Sequence, residues 1–288
     1  MMHRLLAAAL ILFAVPAFGQ NSFAEQRAEW NRPLAPFRVI GNVYYVGTAA
    51  IGAYLVTGPA GHVLIDGAME ESAAQIAGNI RRLGLRIEDV RYILINHAHW
   101  DHAGGLAELQ RLSGARIVAG AADTPDLEAG FNHDRDDTAH FPPVRVARQV
   151  REGEALELGP VRLVAHLTPG HTRGCTSWTA RVREGRRAYD VIFACSLSVA
   201  GQRLVDNPRA PDIVAEFEST FARLRAMRAD IFLTFHDNQF DLMARRARLE
   251  GGDPLAFVDP AELGRRAADA EAAFRAELAR QRSLPAER

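Results

Sequence analysis

Four side chains that can bind a metal ion fall within six positions, in the segment 96–105, which reads NHAHWDHAGG. His97 and His99 are two residues apart, so an extended chain would point both imidazoles to the same side. Asp101 and His102 follow where the chain turns, because two glycines close the segment. A zinc site with three protein ligands keeps one position open for water. The segment therefore predicts a catalytic metal site, and the alternative is a chance cluster among the ten histidines of the chain.

Two further histidines stand where a predicted strand ends and a loop begins. His171 lies in the segment TPGHT, and His236 lies in the segment TFHD. Taken singly, each could be a structural or exposed histidine. Together with the first segment they supply six ligands, enough for two sites of three. Four other histidines are predicted to be loop or strand residues without a ligand role: His133, His140, His62 and His166.

The elements that must position these side chains follow from hydrophobic periodicity. Short apolar runs predict strands at residues 37–40, 43–46, 53–56, 62–65, 92–95 and 116–119. A polar loop is predicted at residues 130–143. After it, further apolar runs predict strands at 144–150, 155–158, 161–166, 176–182, 188–194 and 231–234. Helices are predicted at residues 70–83, 105–112, 121–128, 213–227, 242–249 and 261–280. We interpret the loop as the boundary between two halves. Halves that each run from strands to helices predict an α/β fold, a four-layer αββα sandwich of two mixed sheets packed face to face with helices outside.

The composition is that of a globular protein. Hydrophobic residues make up 48% and charged residues 24% of the 288 residues, and a chain of this length can bury a large core without cross-links. The formal net charge is −1, and no basic stripe is present. Both observations argue against a nucleic-acid partner.

The first residues are typical of a secretion signal. His3 and Arg4 form a short polar start, and residues 5–18 are an apolar run that is short for a membrane span. Small residues at 17 and 19 predict cleavage after Gly19, which leaves residues 20–288 as one mature domain in the periplasm. We expect that domain to be a monomer without a membrane span. The alternative is an uncleaved membrane anchor.

The two cysteines of the chain are predicted to form a disulfide. If the strands at 176–182 and 188–194 form a hairpin centred on Gly185, opposed residues have numbers that sum to 370. Cys175 and Cys195 would then be directly opposed, with Cα atoms about 4.5 to 5.5 Å apart, which is within disulfide range. Export to an oxidising compartment favours the bond. The alternative is two buried thiols, because a bulge of one residue would move the pair out of register.

These residues resemble those of the metallo-β-lactamases, and most closely their third subclass. The resemblance runs over nearly the whole predicted mature chain and includes the segment around His236 and the C-terminal helix. It is carried by WNRP at 30–33, FRVIGN at 37–42, LIDG at 64–67, NHAHWDHAGG at 96–105, PGHT at 169–172 and SLS at 196–198.

The resemblance implies the metallo-β-lactamase fold and two zinc ions per chain, bridged by a hydroxide. It also implies that Ser196 and Ser198 help to hold the carboxylate of the substrate, the alternative being that these hydroxyls only contact solvent. The implied zinc ligands are His97, His99 and His171 for the first ion, and Asp101, His102 and His236 for the second.

The sequence departs from the family pattern at three places. Asn96 stands where threonine or serine is usual, and Gln202 stands where some relatives carry a tyrosine that assists the developing oxyanion. The segment around His236 is less typical than the first motif. Asp66 is interpreted as a residue that orients the ligand loop, or alternatively as a turn former.

The ligands and the resemblance together predict hydrolysis of the amide bond of a small-molecule β-lactam by zinc-bound hydroxide, without a covalent intermediate. The second zinc would receive the charge of the leaving nitrogen, which makes Asp101 and His102 the expected catalytic residues. No G-x-S-x-G segment offers a serine nucleophile.

Other hydrolases share this fold. The main alternative is a lactone hydrolase or a glyoxalase II-like thioesterase. Those enzymes usually carry a metal-bridging carboxylate at the strand end that here reads ACS at 194–196, so Ser196 favours the β-lactamase. An RNA phosphodiesterase is disfavoured by the neutral charge and the export signal. A periplasmic zinc-binding protein without catalysis is disfavoured by the open metal positions.

Overall fold

A computed structural model of the protein describes residues 23–135 and 139–284. The predicted signal segment, residues 1–19, lies outside these ranges. Within them, no helix combines the length and the hydrophobicity that crossing a bilayer requires.

The strands of the described residues form two sheets. The first sheet has seven strands in the order β1 to β7: β1 (Phe37–Ile40), β2 (Val43–Tyr45), β3 (Tyr54–Val56), β4 (His62–Ile65), β5 (Val90–Leu94), β6 (Arg116–Gly120) and β7 (Val146–Val150). The second has five strands in the order β12-β11-β10-β9-β8: β8 (Ala155–Leu158), β9 (Val161–Leu167), β10 (Thr176–Glu184), β11 (Arg187–Phe193) and β12 (Ile231–Leu233).

Both sheets are mixed, as predicted. Strands β1 to β4 form an antiparallel meander, and β4 to β7 are parallel. Strands β8 to β11 are antiparallel, and β12 runs parallel to β11. The predicted boundary between the halves at 130–143 is wrong, because β7 follows that loop and still pairs with β6. Apolar periodicity identifies a strand but carries no information about its partner.

The described residues form eight α-helices, and most of them cover the outer faces of the sheets. They are α1 (Phe23–Trp30), α2 (Ala73–Arg82), α3 (Trp100–Ala103), α4 (Leu106–Ser113), α5 (Thr124–Ala129), α6 (Ile213–Ala226), α7 (Leu242–Glu250) and α8 (Glu262–Arg282). The predicted helices at 70–83 and 121–128 each begin with a short 3-10 turn. The short helices α1 and α3 were not predicted.

Alternation along the strands explains the layers. In β4, Val63 and Ile65 belong to the apolar cluster between the sheets, whereas Leu64 belongs to the cluster that includes Ile76 and Ile80 of α2. A strand buried on both faces must be covered on both faces. On the opposite side, the apolar faces of α6 and α8 pack on the second sheet and are continuous with the cluster between the sheets. The predicted αββα sandwich is confirmed.

The hairpin of β10 and β11 differs by one residue from the predicted register. Glu184 pairs with Arg187, so opposed residues have numbers that sum to 371 and not 370. The turn contains two residues, and its first, Gly185, has a φ of +58°, which glycine adopts without strain. Cys175 and Cys195 are therefore not directly opposed. Their Cα atoms lie 6.0 Å apart, and the two residues form a disulfide.

Main-chain hydrogen bonds join the end of β12 to the loop between β2 and β3. The amide of Gly52 donates to the carbonyl of Phe235 at 2.7 Å, and the amide of Asp237 donates to the carbonyl of Ala50 at 3.0 Å. Ile51 and His236 form an isolated antiparallel bridge. The backbone around His236 is thus attached to both sheets.

Candidate metal centre

The two sheets bring the six candidate ligands to one edge of the sandwich. His97 and His99 follow β5, and His99, whose backbone is extended, immediately precedes α3. Asp101 and His102 lie in α3 itself. The remaining two come from the second sheet, His171 from the loop between β9 and β10 and His236 from the residues after β12.

The first group consists of His97, His99 and His171, whose ligand atoms all lie within 4.8 Å of one another. The ring centroids form a nearly regular triangle with sides of 4.6 to 4.7 Å. The Nε2 atoms of His97 and His99 are buried and have no hydrogen-bond partner among the described residues. Buried polar atoms without a partner are costly, and a cation among the three rings would satisfy them.

The second group consists of Asp101, His102 and His236, whose ligand atoms also lie within 4.8 Å of one another. Nε2 of His102 is 3.2 Å from Nε2 of His236. Oδ2 of Asp101 is 3.5 Å from the former and 3.4 Å from the latter nitrogen. Two ligand atoms at about 2.05 Å from a tetrahedral zinc are about 3.3 Å apart. The geometry of this group therefore fits a divalent metal ion such as zinc.

A third set of donor atoms lies close together, on His97, Cys175 and Cys195. The two sulfur atoms are bonded to each other, so this set is not a ligand group while the disulfide is intact. His62, His133, His140 and His166 belong to none of the three sets.

Burial favours the neutral, metal-binding form of most of these imidazoles. It lowers the pKa of His171 to about 3 and that of His236 to about 4. The pKa values of His97 and His99 are held well below the ordinary range, first by burial and then by the neighbouring histidines. For His102 burial acts in the same direction, but the carboxylates beside it outweigh burial and raise the pKa.

Asp66 and Asn96 orient ligands in both groups. Oδ2 of Asp66 accepts a hydrogen bond from Nδ1 of His102 at 2.7 Å, which directs Nε2 towards the second group. The amide group of Asn96 donates to the same carboxylate, and its oxygen contacts Nδ1 of His97. The amide thus connects Asp66 to the first group.

The loop that carries His171 is attached to the segment after β11. Nδ1 of His171 lies 2.7 Å from the carbonyl oxygen of Ser198 and donates to it, which leaves Nε2 free as a ligand. The side-chain amide of Gln202 donates to the carbonyl of His171 at 2.5 Å. Gln202 is buried and holds this loop, and it does not line the cavity that opens above the ligand groups.

A cavity of about 290 Å³ opens above the ligands. Ser196 and Ser198 line it, and their hydroxyl oxygens are 3.1 Å apart. In the part of the chain that the structure describes, Asp101 is the one carboxylate in the lining. The lining also includes residues that the sequence analysis did not single out as site residues, among them Trp30, Trp100, Asn132 and Arg135. Trp30 stacks on Trp100 and meets the His236 ring edge-on, so α1 contributes to the wall.

The chain is similar to a subclass B3 metallo-β-lactamase of Bradyrhizobium japonicum, with 40% identity and a TM-score of 0.85 over 89% of this chain and 98% of that one. It is also similar to the native FEZ-1 metallo-β-lactamase of Legionella gormanii, with 35% identity and a TM-score of 0.85 over 88% and 99%.

Among curated proteins, the chain is similar to a hydroxyacylglutathione hydrolase of Rhodopseudomonas palustris. The two are 30% identical over 122 residues, which are 42% of this chain and 40% of that protein. The chain spans less than half the length of the first curated relatives that it matches. The family profile described as "Metallo-beta-lactamase superfamily" matches residues 47–236, a range that contains all six candidate ligands. Because this match covers well over half of the sequence, the chain belongs to the metallo-β-lactamase superfamily.

Proposed function

We propose that the protein is a zinc-dependent β-lactamase that hydrolyses the amide bond of a small-molecule β-lactam. The observation that carries the proposal is the pair of adjoining three-ligand groups beneath one cavity. Solved structures similar over 88% to 90% of this chain are named metallo-β-lactamases, which supports the same activity here.

The proposed cofactor is two zinc ions per chain, one for each ligand group. When bound, zinc supplies a hydroxide nucleophile near neutral pH and a positive charge that stabilises the leaving nitrogen. The first group would hold one ion and the second group the other, and in the second group Asp101 and His102 are the proposed catalytic residues.

The chain's own residues orient the substrate. The hydroxyls of Ser196 and Ser198 face the cavity and lie close enough to donate together to one carboxylate. Arg135 also lines the cavity and adds positive charge. A β-lactam carboxylate bound on this side would place the amide bond over the ligand groups.

A covalent acyl-serine is not expected. Ser198 Oγ is 3.5 Å from Nδ1 of His171, but that nitrogen donates its proton to the carbonyl oxygen of Ser198. It therefore has no lone pair with which to accept the hydroxyl proton. Without a general base, a serine hydroxyl is a weak nucleophile.

Turnover of the chromogenic cephalosporin nitrocefin, with and without a chelator, tests the proposal. We expect turnover that the chelator abolishes, that added zinc restores, and that clavulanate leaves unchanged. Elemental analysis should give two zinc ions per chain. Purified protein that holds no zinc, or turnover that survives the chelator, would contradict the proposal.

A thioesterase is the second candidate, because the curated relatives include proteins named hydroxyacylglutathione hydrolase and acyl-coenzyme A thioesterase. Ser196, in place of a bridging carboxylate, argues against it. Rates on a penicillin, a cephalosporin, a carbapenem, a homoserine lactone and S-lactoylglutathione separate the candidates. Turnover of the lactone or the thioester without β-lactam turnover would favour this second candidate.

We propose further that residues 1–19 are removed on export and that residues 20–288 act as a monomer in the periplasm. An enzyme at that location would protect its host from β-lactam antibiotics. N-terminal sequencing of periplasmic protein should begin at Gln20, and sedimentation should give the mass of one chain. An intact N-terminus in the membrane fraction would contradict the export proposal.

A further inference from the structure

We propose that Asp123 is the positioning residue of one ligand group, that of His97, His99 and His171, and that it does not support the other group. The inference rests on the proposed metal binding and extends it to a residue that contacts no substrate. Asp123 lies in the 3-10 turn between β6 and α5 and is 2% exposed.

The carboxylate of Asp123 connects the two loops that carry these three ligands. Its Oδ2 accepts hydrogen bonds from the amide of Ala98 at 2.9 Å and from the hydroxyl of Thr172 at 2.8 Å. Its Oδ1 accepts from the amide of Gly174 at 2.7 Å. Ala98 lies between His97 and His99, and Thr172 follows His171 in the sequence. One carboxylate thus bonds to a residue adjacent to every ligand in the group, to the backbone of Ala98 and to the side chain of Thr172.

Tight backbone packing around Asp123 is an independent sign that the spacing of the loops is set here. A Cβ atom added to Gly174 would come within 2.3 Å of the Asp123 amide nitrogen and 2.6 Å of its carboxyl carbon. A Cβ atom added to Gly120 would come within 2.3 Å of the Gly174 carbonyl oxygen. These contacts leave no room for a side chain at Gly174 or Gly120, so the backbone of the His171 loop packs directly against Asp123 and the end of β6.

The contacts of Asp66 make a useful contrast. Asp66 bonds directly to His102 of the second group and, through Asn96, reaches His97 of the first. The hydrogen bonds of Asp123 reach only the loops of the first group. Loss of Asp66 should therefore weaken both groups, whereas loss of Asp123 should weaken one.

Titration of the zinc-free protein with zinc, against a chelating competitor, tests this. In Asp123→Asn an amide NH₂ group replaces one carboxylate oxygen and cannot accept a hydrogen bond. In one orientation it faces the amide of Gly174, and in the other it faces the amide of Ala98 and the hydroxyl of Thr172, so a donor faces a donor in both. We expect one of the two zinc affinities to fall 10- to 100-fold, the range for residues that orient metal ligands, and the other to stay unchanged.

Two ligand variants assign the affected site. In a His236→Ala background, where the second group lacks a ligand, Asp123→Asn should still weaken the remaining zinc site. In a His99→Ala background, where the first group is lost, Asp123→Asn should produce no further change. The reverse pattern would overturn the proposal.

Asp126→Asn is the matched control. Asp126 is also a buried carboxylate, three residues further along, but it bonds to His133 and not to either ligand loop. Both zinc affinities should be unchanged in this variant. Thr172→Val removes one of the three hydrogen bonds and should weaken the same site as Asp123→Asn to a smaller degree, which keeps the test valid if Asp123→Asn does not fold.

A purely structural role gives a different result. Equal loss of both affinities, or a lower unfolding temperature of the zinc-free protein with both affinities unchanged, would overturn the proposal. The readout is zinc affinity and requires no β-lactam turnover. If the unaltered protein binds zinc but hydrolyses no β-lactam, the substrate proposal fails and the role of Asp123 stands. If the unaltered protein binds no zinc, both fail.

Discussion

His99 illustrates how much depends on one side chain. Its Nε2 is buried without a hydrogen-bond partner in the first ligand group. We expect His99→Ala to lose one zinc and to lower kcat/KM for nitrocefin by on the order of 100-fold or more, since even residues behind the ligands contribute 10- to 100-fold. Elemental analysis and steady-state rates check this. His166→Ala, which alters a histidine outside every ligand group, is the control and should keep both zinc ions.

The pH dependence of stability provides a second test at the same scale. Burial lowers the pKa of His171 to about 3 in the folded protein, from 6.5 in its ordinary state. Between these values the unfolded chain holds a proton that the folded chain lacks, so the free energy of unfolding rises with pH and falls on acidification. We expect acidification from pH 7 to pH 5 to destabilise metal-free His171→Gln less than the metal-free unaltered protein. The difference between their losses in the free energy of unfolding should be up to ~1.4 kcal/mol per pH unit below 6.5.

Urea unfolding in the presence of a chelator measures this difference. His140→Gln, at an exposed position, should behave as the unaltered protein does. Equal losses in the unaltered protein and in His171→Gln would show that His171 is not buried in its neutral form.

The sequence alone predicts some residues of the site and not others. The six candidate ligands could be named because ligand-type side chains at strand ends form a local pattern. Asp123 could not, because its role depends on the distance between two loops that are about 70 residues apart in the sequence and meet only in the folded chain. The hydrogen bond from the side-chain amide of Gln202 to the carbonyl of His171 could not be predicted for the same reason.

At the scale of elements, the disulfide between the residue before β10 and the segment after β11 should make a measurable contribution to stability. It closes a loop with a sequence separation of 20 residues, which the chain-entropy account values at about 3 kcal/mol. We expect the Cys175→Ser, Cys195→Ser double variant to lose stability of this order in urea unfolding and to retain the fold.

Mass spectrometry of unreduced, alkylated protein checks the bond itself. Neither cysteine should be alkylated without a reductant, and both should be alkylated after reduction and unfolding. Two alkylated cysteines in the unreduced protein would contradict the bond.

Element boundaries were predictable to within a few residues because apolar periodicity is local. Partners and registers were not. The strand β7 joins the first sheet although it follows the predicted boundary. The β10–β11 register differs by one residue because the turn holds two residues, whereas a hairpin centred on Gly185 has an odd number of turn residues. The helix α1 packs through aromatic contacts of its two ends, Phe23 and Trp30, with Trp100. It has no buried apolar stripe, so hydrophobic periodicity could not predict it.

For the whole molecule, the ligand groups should act as cross-links between the two sheets. Each group combines ligands that follow β5 with one from the second sheet, so bound zinc stabilises the sandwich against separation. We expect chelation to lower the unfolding midpoint by roughly 5 to 10 °C for each zinc ion removed, because a ligand at 100 times its Kd contributes about 2.7 kcal/mol per site and a chain of this size shifts by about 2 to 4 °C per kcal/mol.

Thermal unfolding with and without a chelator measures the shift, and added zinc should reverse it. The His99→Ala, His236→Ala double variant should be insensitive to the chelator. An unaltered protein with the same midpoint in both conditions would contradict the cross-linking role.

The main-chain bonds between the loop at 47–52 and the residues after β12 have a consequence for how this protein can change over evolutionary time. They join backbone atoms, so side-chain substitutions that the loop can accommodate leave them in place, whereas a single inserted or deleted residue would shift the bridge between Ile51 and His236. Gly52 is packed closely against the opposite segment, because an added Cβ there would lie 3.1 Å from the Phe235 Cα. A change of length in this loop would therefore displace the backbone at the metal ligand His236, although the loop itself carries no ligand, so we expect its length to vary less than its sequence.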